Sequence, residues 1–133
     1  MGRRAFEMGD PDSYVGNYEF QVPIFVLTHR PPDVPPKQDG RLTFTFVADG
    51  IRSAVAQASA AAGEKAVQAV GGASVAQQLL LANLVDELRL DVMPVLFGTG
   101  LRFWGEGLGR LALQKLAVQE VGVRTSLRFR VQR

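Results

Sequence analysis

Apolar positions along the chain fall into short runs separated by turn-forming residues. Between Val22 and Thr28 the run Pro23-Ile24-Phe25-Val26-Leu27 is apolar at successive positions. It reads as a strand covered on both faces. Four prolines between Pro31 and Pro36 then remove backbone donors and force an exposed, extended loop after Arg30. Leu42, Phe44 and Phe46 alternate with Thr43 and Thr45, which predicts a second strand, Leu42 to Val47, buried on one face. Ile51, Ala54, Val55, Ala58 and Ala62 recur at helical spacing, with Asp49 as the expected N-cap and Gly63 as the stop. Lys65 to Val70 reads as a short third strand running into Gly71-Gly72. Ser74-Val75-Ala76-Gln77 matches a capping box for a helix that continues through Leu79, Leu80 and Ala82 to a left-handed stop at Asn83.

Strict alternation from Glu87 to Val92 places Leu88, Leu90 and Val92 on one face of a strand and Glu87, Arg89 and Asp91 on the other, with Pro94 closing it. The segment from Gly98 through Gly109 is too rich in glycine for regular structure and reads as a loop. Leu113 to Val121 and Arg124 to Val131 alternate on either side of Gly122, the pattern of an antiparallel hairpin. This succession of strands and helices predicts an α/β arrangement of layers.

The 133 residues are 47% hydrophobic, enough for one core, so a single domain over 1–133 is expected. The chain has no cysteine, which excludes disulfides, thiolate metal sites and a cysteine nucleophile. Arg3 and Arg4 have no apolar stretch behind them, so no secretory signal is read, and no window approaches the 18 apolar residues of a membrane span. A cytoplasmic protein is the expectation. Fifteen Lys and Arg against 13 Asp and Glu leave a formal charge of +2. The densest basic stretch is the tail, where Arg124, Arg128 and Arg130 share one side of a strand and Arg133 follows. Without aromatic interleaving it does not predict nucleic-acid binding.

Candidate chemistry is sparse. Gly71-Gly72-Ala73-Ser74 joins an expected strand to an expected helix, where glycines let a phosphate approach free N–H groups; the same residues also suit a plain tight turn. The spacing is not that of the Rossmann fingerprint. His29 is the single histidine, so no histidine-pair metal site and no Ser-His-Asp triad can be assembled, and no metal is expected. It stands at a strand end, a favoured ligand position in α/β proteins. Asp86 and Glu87 point to opposite sides of a strand and read as structural. Phe103 and Trp104 suit either an aromatic wall for a ligand or an anchor for their loop. Arg3 and Arg4 suit a phosphate grip or a solvated face.

Three segments in order, Gly71 to Ser74, Asn83-Leu84-Val85-Asp86-Glu87-Leu88-Arg89-Leu90 and Pro94-Val95-Leu96-Phe97-Gly98-Thr99-Gly100, resemble the dihydrofolate-reductase-like superfamily. The resemblance is to its branch of C-terminal reductase domains from riboflavin-biosynthesis bifunctional deaminase-reductases, and it runs from Met1 to the C-terminal hairpin. It implies an α/β fold with a mixed, mostly parallel sheet flanked by helices, ending in an antiparallel hairpin. It also implies NADPH along the carboxyl ends of the strands. Gly2, Arg3 and Arg4 match the family's Gly-Arg-(Arg/Lys)-Thr motif, with Ala5 in place of Thr. Thr28, His29 and Arg30 match the segment that approaches the adenosine ribose and its 2′-phosphate. Gly71, Gly72, Ala73 and Ser74 match the pyrophosphate turn.

No catalytic acid is matched, and Val70 stands where riboflavin-pathway reductases often carry a substrate-binding Glu. Family members place a strand, a helix and a strand ahead of the Gly-Arg motif. The domain is therefore expected to be N-terminally incomplete relative to the family, with exposed sheet edges that favour a homodimer. The resemblance implies NADPH-dependent reduction of a small heterocycle. The named candidates are 5-amino-6-(5-phosphoribosylamino)uracil and dihydrofolate. The competing reading is a non-catalytic nucleotide-binding or oligomeric remnant of the fold.

Overall fold

A strand apolar on both faces must be covered on both, and the first strand of the computed structural model, which describes residues 1–133, is built that way. Ile24–Leu27 (β1) pairs in parallel with Phe44–Val47 (β2), Ile24 opposite Phe44 and Leu27 opposite Val47. Both strands are shorter than the alternation suggests. Pro23 has no N–H to contribute, and the ladder begins where Ile24 donates to the Thr43 carbonyl at 2.8 Å. On the other edge of β1, Leu27 donates to the Met1 carbonyl at 2.8 Å and Gly2 forms a parallel bridge to Leu27. Two compact units result from the chain's contacts, Met1–Gln78 and Leu79–Arg133.

In the first unit, the β1 residues Ile24 and Val26 share a face with Phe44 and Phe46 of β2, and α1 (Arg3–Met8) packs there. Six residues are too few for a helix to stand alone. Burial of Phe6 supports it, with ring contacts to Phe44 at 5.3 Å and Phe46 at 5.4 Å, both edge-on. Such pairs contribute about 0.5–1.5 kcal/mol each beyond area burial. The Tyr14 hydroxyl donates to the Phe6 carbonyl at 3.2 Å, and burial pushes that phenol's pKa up, which keeps it a neutral donor. Tyr14, Ile24, Val26, Leu42 and Phe44 complete the core around Phe6.

The helix α2 (Ile51–Ala62) packs against β1 and buries Ala54. Its N-cap is Gly50 rather than the expected Asp49. The chain turns out of β2 at φ +104, which glycine adopts without a Cβ penalty, and no side chain caps the helix. Gly63 ends it as expected, at φ +61 with its N–H on the Ser59 carbonyl at 3.1 Å. Lys65 to Val70 forms no strand. Its residues are exposed up to Val70 and find no ladder partner, and strand propensity alone does not hold a strand. The helix α3 (Ala73–Leu81) starts with Ala76 donating to the Gly72 carbonyl at 3.2 Å. Ser74 therefore lies inside the first turn, its hydroxyl accepting from Gln78 Nε2 at 3.3 Å, and the capping box does not form. Asn83 at φ +56 stops the helix as expected, with Leu84 donating to the Leu79 carbonyl at 3.0 Å and Asn83 to Leu80 at 3.1 Å.

The second unit is an antiparallel sheet of Glu87–Val92 (β3), Leu113–Val121 (β4) and Arg124–Val131 (β5) in the order β3-β5-β4. The hairpin turns at Gly122, φ +60, as the alternation predicts. A bulge between Lys115 and Ala117 resets its register. Arg124 and Arg128 do share a face, and each has an acid there: Arg128 lies 2.6 Å from Glu87 and Arg124 3.6 Å from Asp91. The glycine segment carries no regular element. Its Trp104 indole donates to the Gly109 carbonyl at 2.8 Å, which anchors the loop on itself. No helix is long and apolar enough to cross a membrane.

Candidate functional site

Every residue of the candidate site lies in the unit Met1–Gln78. The bridge between Gly2 and Leu27 sets the start of α1 beside the carboxyl end of β1. At that end Thr28 keeps the parity of Ile24 and Val26, so its side chain points to the same face as the core. Thr28 is 7% exposed, and its N–H continues the ladder to the Val47 carbonyl at 3.0 Å. Its hydroxyl accepts the Arg30 N–H at 3.0 Å and donates to the Arg30 carbonyl at 3.2 Å. One threonine thus shapes the corner that presents Arg30. Thr28→Val keeps the volume but leaves a nearly buried corner without its hydroxyl, so we expect a loss of about 1–2 kcal/mol. An unchanged urea midpoint would show that the corner is held by something else.

Arg3, Thr28 and Arg30 line a cleft of about 170 Å³ together with Phe6, Glu7 and Phe46; Pro11 and Pro32 complete it. Ligand pockets for whole drug-sized molecules run to about 300–1,000 Å³, so this cleft suits one end of an extended ligand. Two arginines and one glutamate line it, Arg3, Arg30 and Glu7. The Arg3 Nε–Glu7 Oε1 separation is 3.5 Å, one turn apart on α1 and largely exposed. A pair of that kind contributes about 0.3–0.5 kcal/mol, little resistance to an incoming anion. The cleft offers cations for a phosphate and the apolar faces of Phe6 and Phe46 beside them.

Two glycines bring the second half of the site against the first. A Cβ on Gly2 would sit 2.9 Å from Val75 Cγ2, and a Cβ on Gly71 would sit 2.7 Å from the Ala5 Cβ. The turn and the first turn of α3 therefore rest directly on the segment that carries Arg3. Gly72 has nothing within 4 Å of its Cβ direction and is exposed, leaving the way to the α3 N-terminus open. The first N–H groups of a helix have no intrahelical acceptors and carry the positive end of its dipole.

The structure thus brings together Gly2, Arg3, Thr28, Arg30, Gly71 and Gly72. Ala73 and Ser74 open α3 behind Gly72. Arg4 and His29 are exposed and do not line the cleft. Sequence reasoning missed Phe6, Glu7, Phe46 and the two prolines. Phe46 was within reach, because its alternation with Phe44 and the parity of Thr28 put both on one face. No group of three metal-ligating side chains is assembled.

A family model described as the RibD C-terminal domain matches residues 2–127. No curated protein sequence matches the chain. Among solved structures, a putative riboflavin biosynthesis protein from Shewanella sp. PV-4 superposes with a TM-score of 0.73 at 22% identity, over 100% of this chain and 72% of that one. A pyrimidine reductase-like protein from Corynebacterium diphtheriae gives a TM-score of 0.55 at 15% identity, over 84% of this chain and 50% of that one. The mixed α/β architecture, with a parallel pair, an antiparallel three-stranded sheet and helices, matches the dihydrofolate-reductase-like fold of these neighbours.

Proposed function

The chain belongs to the RibD C-terminal domain family, a family of reductase domains, and from that premise we propose that it is an NADPH-dependent reductase of a small heterocyclic substrate. The observation that carries the reading is the meeting of the Gly2–Arg3 segment, the Thr28–Arg30 corner and the Gly71–Gly72 turn in one unit. NADPH supplies the hydride for a C=N or C=O carbon. The chain's own residues bind and orient it. Arg30 and Arg3 grip the 2′-phosphate end in the cleft, whose small volume suits that end alone. Gly72 and the first N–H groups of α3 take the pyrophosphate. Thr28 acts through the backbone of Arg30, as a positioning residue. The names of the structural neighbours favour a pyrimidine among heterocycles, and 5-amino-6-(5-phosphoribosylamino)uracil is the substrate to test first.

Calorimetric titration of the 133-residue chain with NADPH and NADH tests the cofactor reading. Saturable binding that is tighter for NADPH is expected, and heat from neither overturns it. Arg30→Ala removes a charge-assisted contact of about 1.5–3 kcal/mol, a loss of roughly tenfold to a hundredfold in NADPH affinity. NADH should change far less. Equal losses for the two cofactors would remove Arg30 from the 2′-phosphate.

A further inference from the structure

Two aspartate-glycine pairs occur in the chain, Asp39-Gly40 and Asp49-Gly50. A glycine leaves the amide nitrogen after an aspartate unshielded, so the side-chain carboxyl carbon can be attacked by it. The structure treats the two pairs in opposite ways. Asp39 Oδ1 accepts the N–H of Arg41 at 2.8 Å and of Leu42 at 2.7 Å, and the Asp39 N–H donates to the Leu42 carbonyl at 3.1 Å. Those two amides hold the Asp39 carboxyl below the usual carboxylate range. Asp49 is exposed, the Gly50 N–H joins no backbone hydrogen bond, and nothing lies within 4 Å of the Cβ direction at Gly50.

We propose that Asp49-Gly50 is a site of spontaneous aspartate isomerisation in the folded protein, and that Asp39-Gly40 is protected from it. The Gly50 nitrogen forms a bond to Asp49 Cγ. One water leaves, made from a carboxyl oxygen, the carboxyl proton and the Gly50 N–H proton. Water then adds at the main-chain carbonyl of the cyclic imide and breaks its bond to the Gly50 nitrogen. Gly50 is left attached through the aspartate side chain. One water is lost and one gained, nothing is oxidised or reduced, and the mass is unchanged.

The product inserts a methylene into the main chain just before Gly50, where φ +104 turns β2 into α2 and the Gly50 carbonyl accepts the Ala54 N–H at 3.1 Å. At Asp39 the same ring closure requires the carboxyl to give up two amide donors. That slows it by about tenfold or more in the folded state.

The two sites fall in separate tryptic peptides, Gln38 to Arg41 and Leu42 to Arg52. The folded full chain is held in warm, mildly acidic buffer, digested, and its equal-mass isomers are separated chromatographically, with isoaspartyl methyltransferase labelling to identify the β-linked form. The expected result is β-linked aspartate in the Leu42 to Arg52 peptide at least about tenfold ahead of the other. In urea the two peptides should accumulate it at comparable rates. Equal accumulation in the folded chain overturns the proposal. So does a product in urea with none at Asp49 in the folded chain, or a bias in urea as large as the folded one. Asp49→Glu should abolish the early product in its peptide, and persistence there overturns the assignment.

Discussion

Gly72→Asp is expected to abolish NADPH binding in a protein that folds as well as the parent. Nothing lies within 4 Å of the Cβ direction at Gly72, and its backbone is outside the left-handed region. The position is the N-cap of α3, since the Gly72 carbonyl accepts from Ala76. Aspartate is among the preferred residues there, and its charge suits the helix dipole, so stability should hold or rise by a few tenths of a kcal/mol. The same carboxylate occupies the approach proposed for the pyrophosphate. Placing like charges together costs several kcal/mol, which raises the Kd by at least about a hundredfold. Gly72→Asn caps as well without the charge and should keep most of the affinity. Calorimetry on the two variants, with urea curves beside them, separates the effects. Undiminished binding by a folded Gly72→Asp would move the pyrophosphate elsewhere.

Gly71→Ala, one position away, is expected to act on the fold instead. Gly71 sits at φ +103, and a Cβ there would lie 2.7 Å from the methyl of Ala5. Backbone strain at such a φ and forced overpacking cost about 1–3 kcal/mol each, so a total of about 2–6 kcal/mol is expected. A urea midpoint shift of that size checks it. Ala5→Gly in the same chain removes the collision but keeps the strained φ, and adds helix-propensity cost at position 5. It should recover part of the loss, and no recovery would place the clash elsewhere. The small side chain at position 5 is the surface on which the turn rests, and a larger one would press on Gly71.

Local chemistry was legible wherever it decides structure within a few residues. The alternation from Glu87 to Val92, the hairpin about Gly122, the stops at Gly63 and Asn83 and the strand core at Ile24–Leu27 all appear as read. Helix starts were harder. Asp49 and Ser74 carry good capping side chains, yet Gly50 and Gly72 hold the cap positions, because the geometry of entry into each helix is set by what precedes it. Lys65 to Val70 has strand-like residues but no partner strand. A strand is a property of a pair, and a sequence window holds only one member.

For the candidate site, the glycines and arginines could be named from one dimension because their chemistry is intrinsic: a missing side chain or a fixed charge. Arg124 and Arg128 show what that leaves out, since their proximity along the tail suggested a basic face until β3 brought Asp91 and Glu87 diagonally beside them. Sequence by itself determined the α/β pattern, the glycine turn before α3 and the residue types able to meet a phosphate. Only the tertiary structure decided that Arg3, Thr28 and Arg30 share one cleft with Phe46, and that Gly71 rests on Ala5 while Gly72 stays open. Periodicity and turn preference act over a few residues. Convergence of segments some 25 to 70 positions apart depends on the β1 ladder and the packing of the α1 start against it, which no local pattern records.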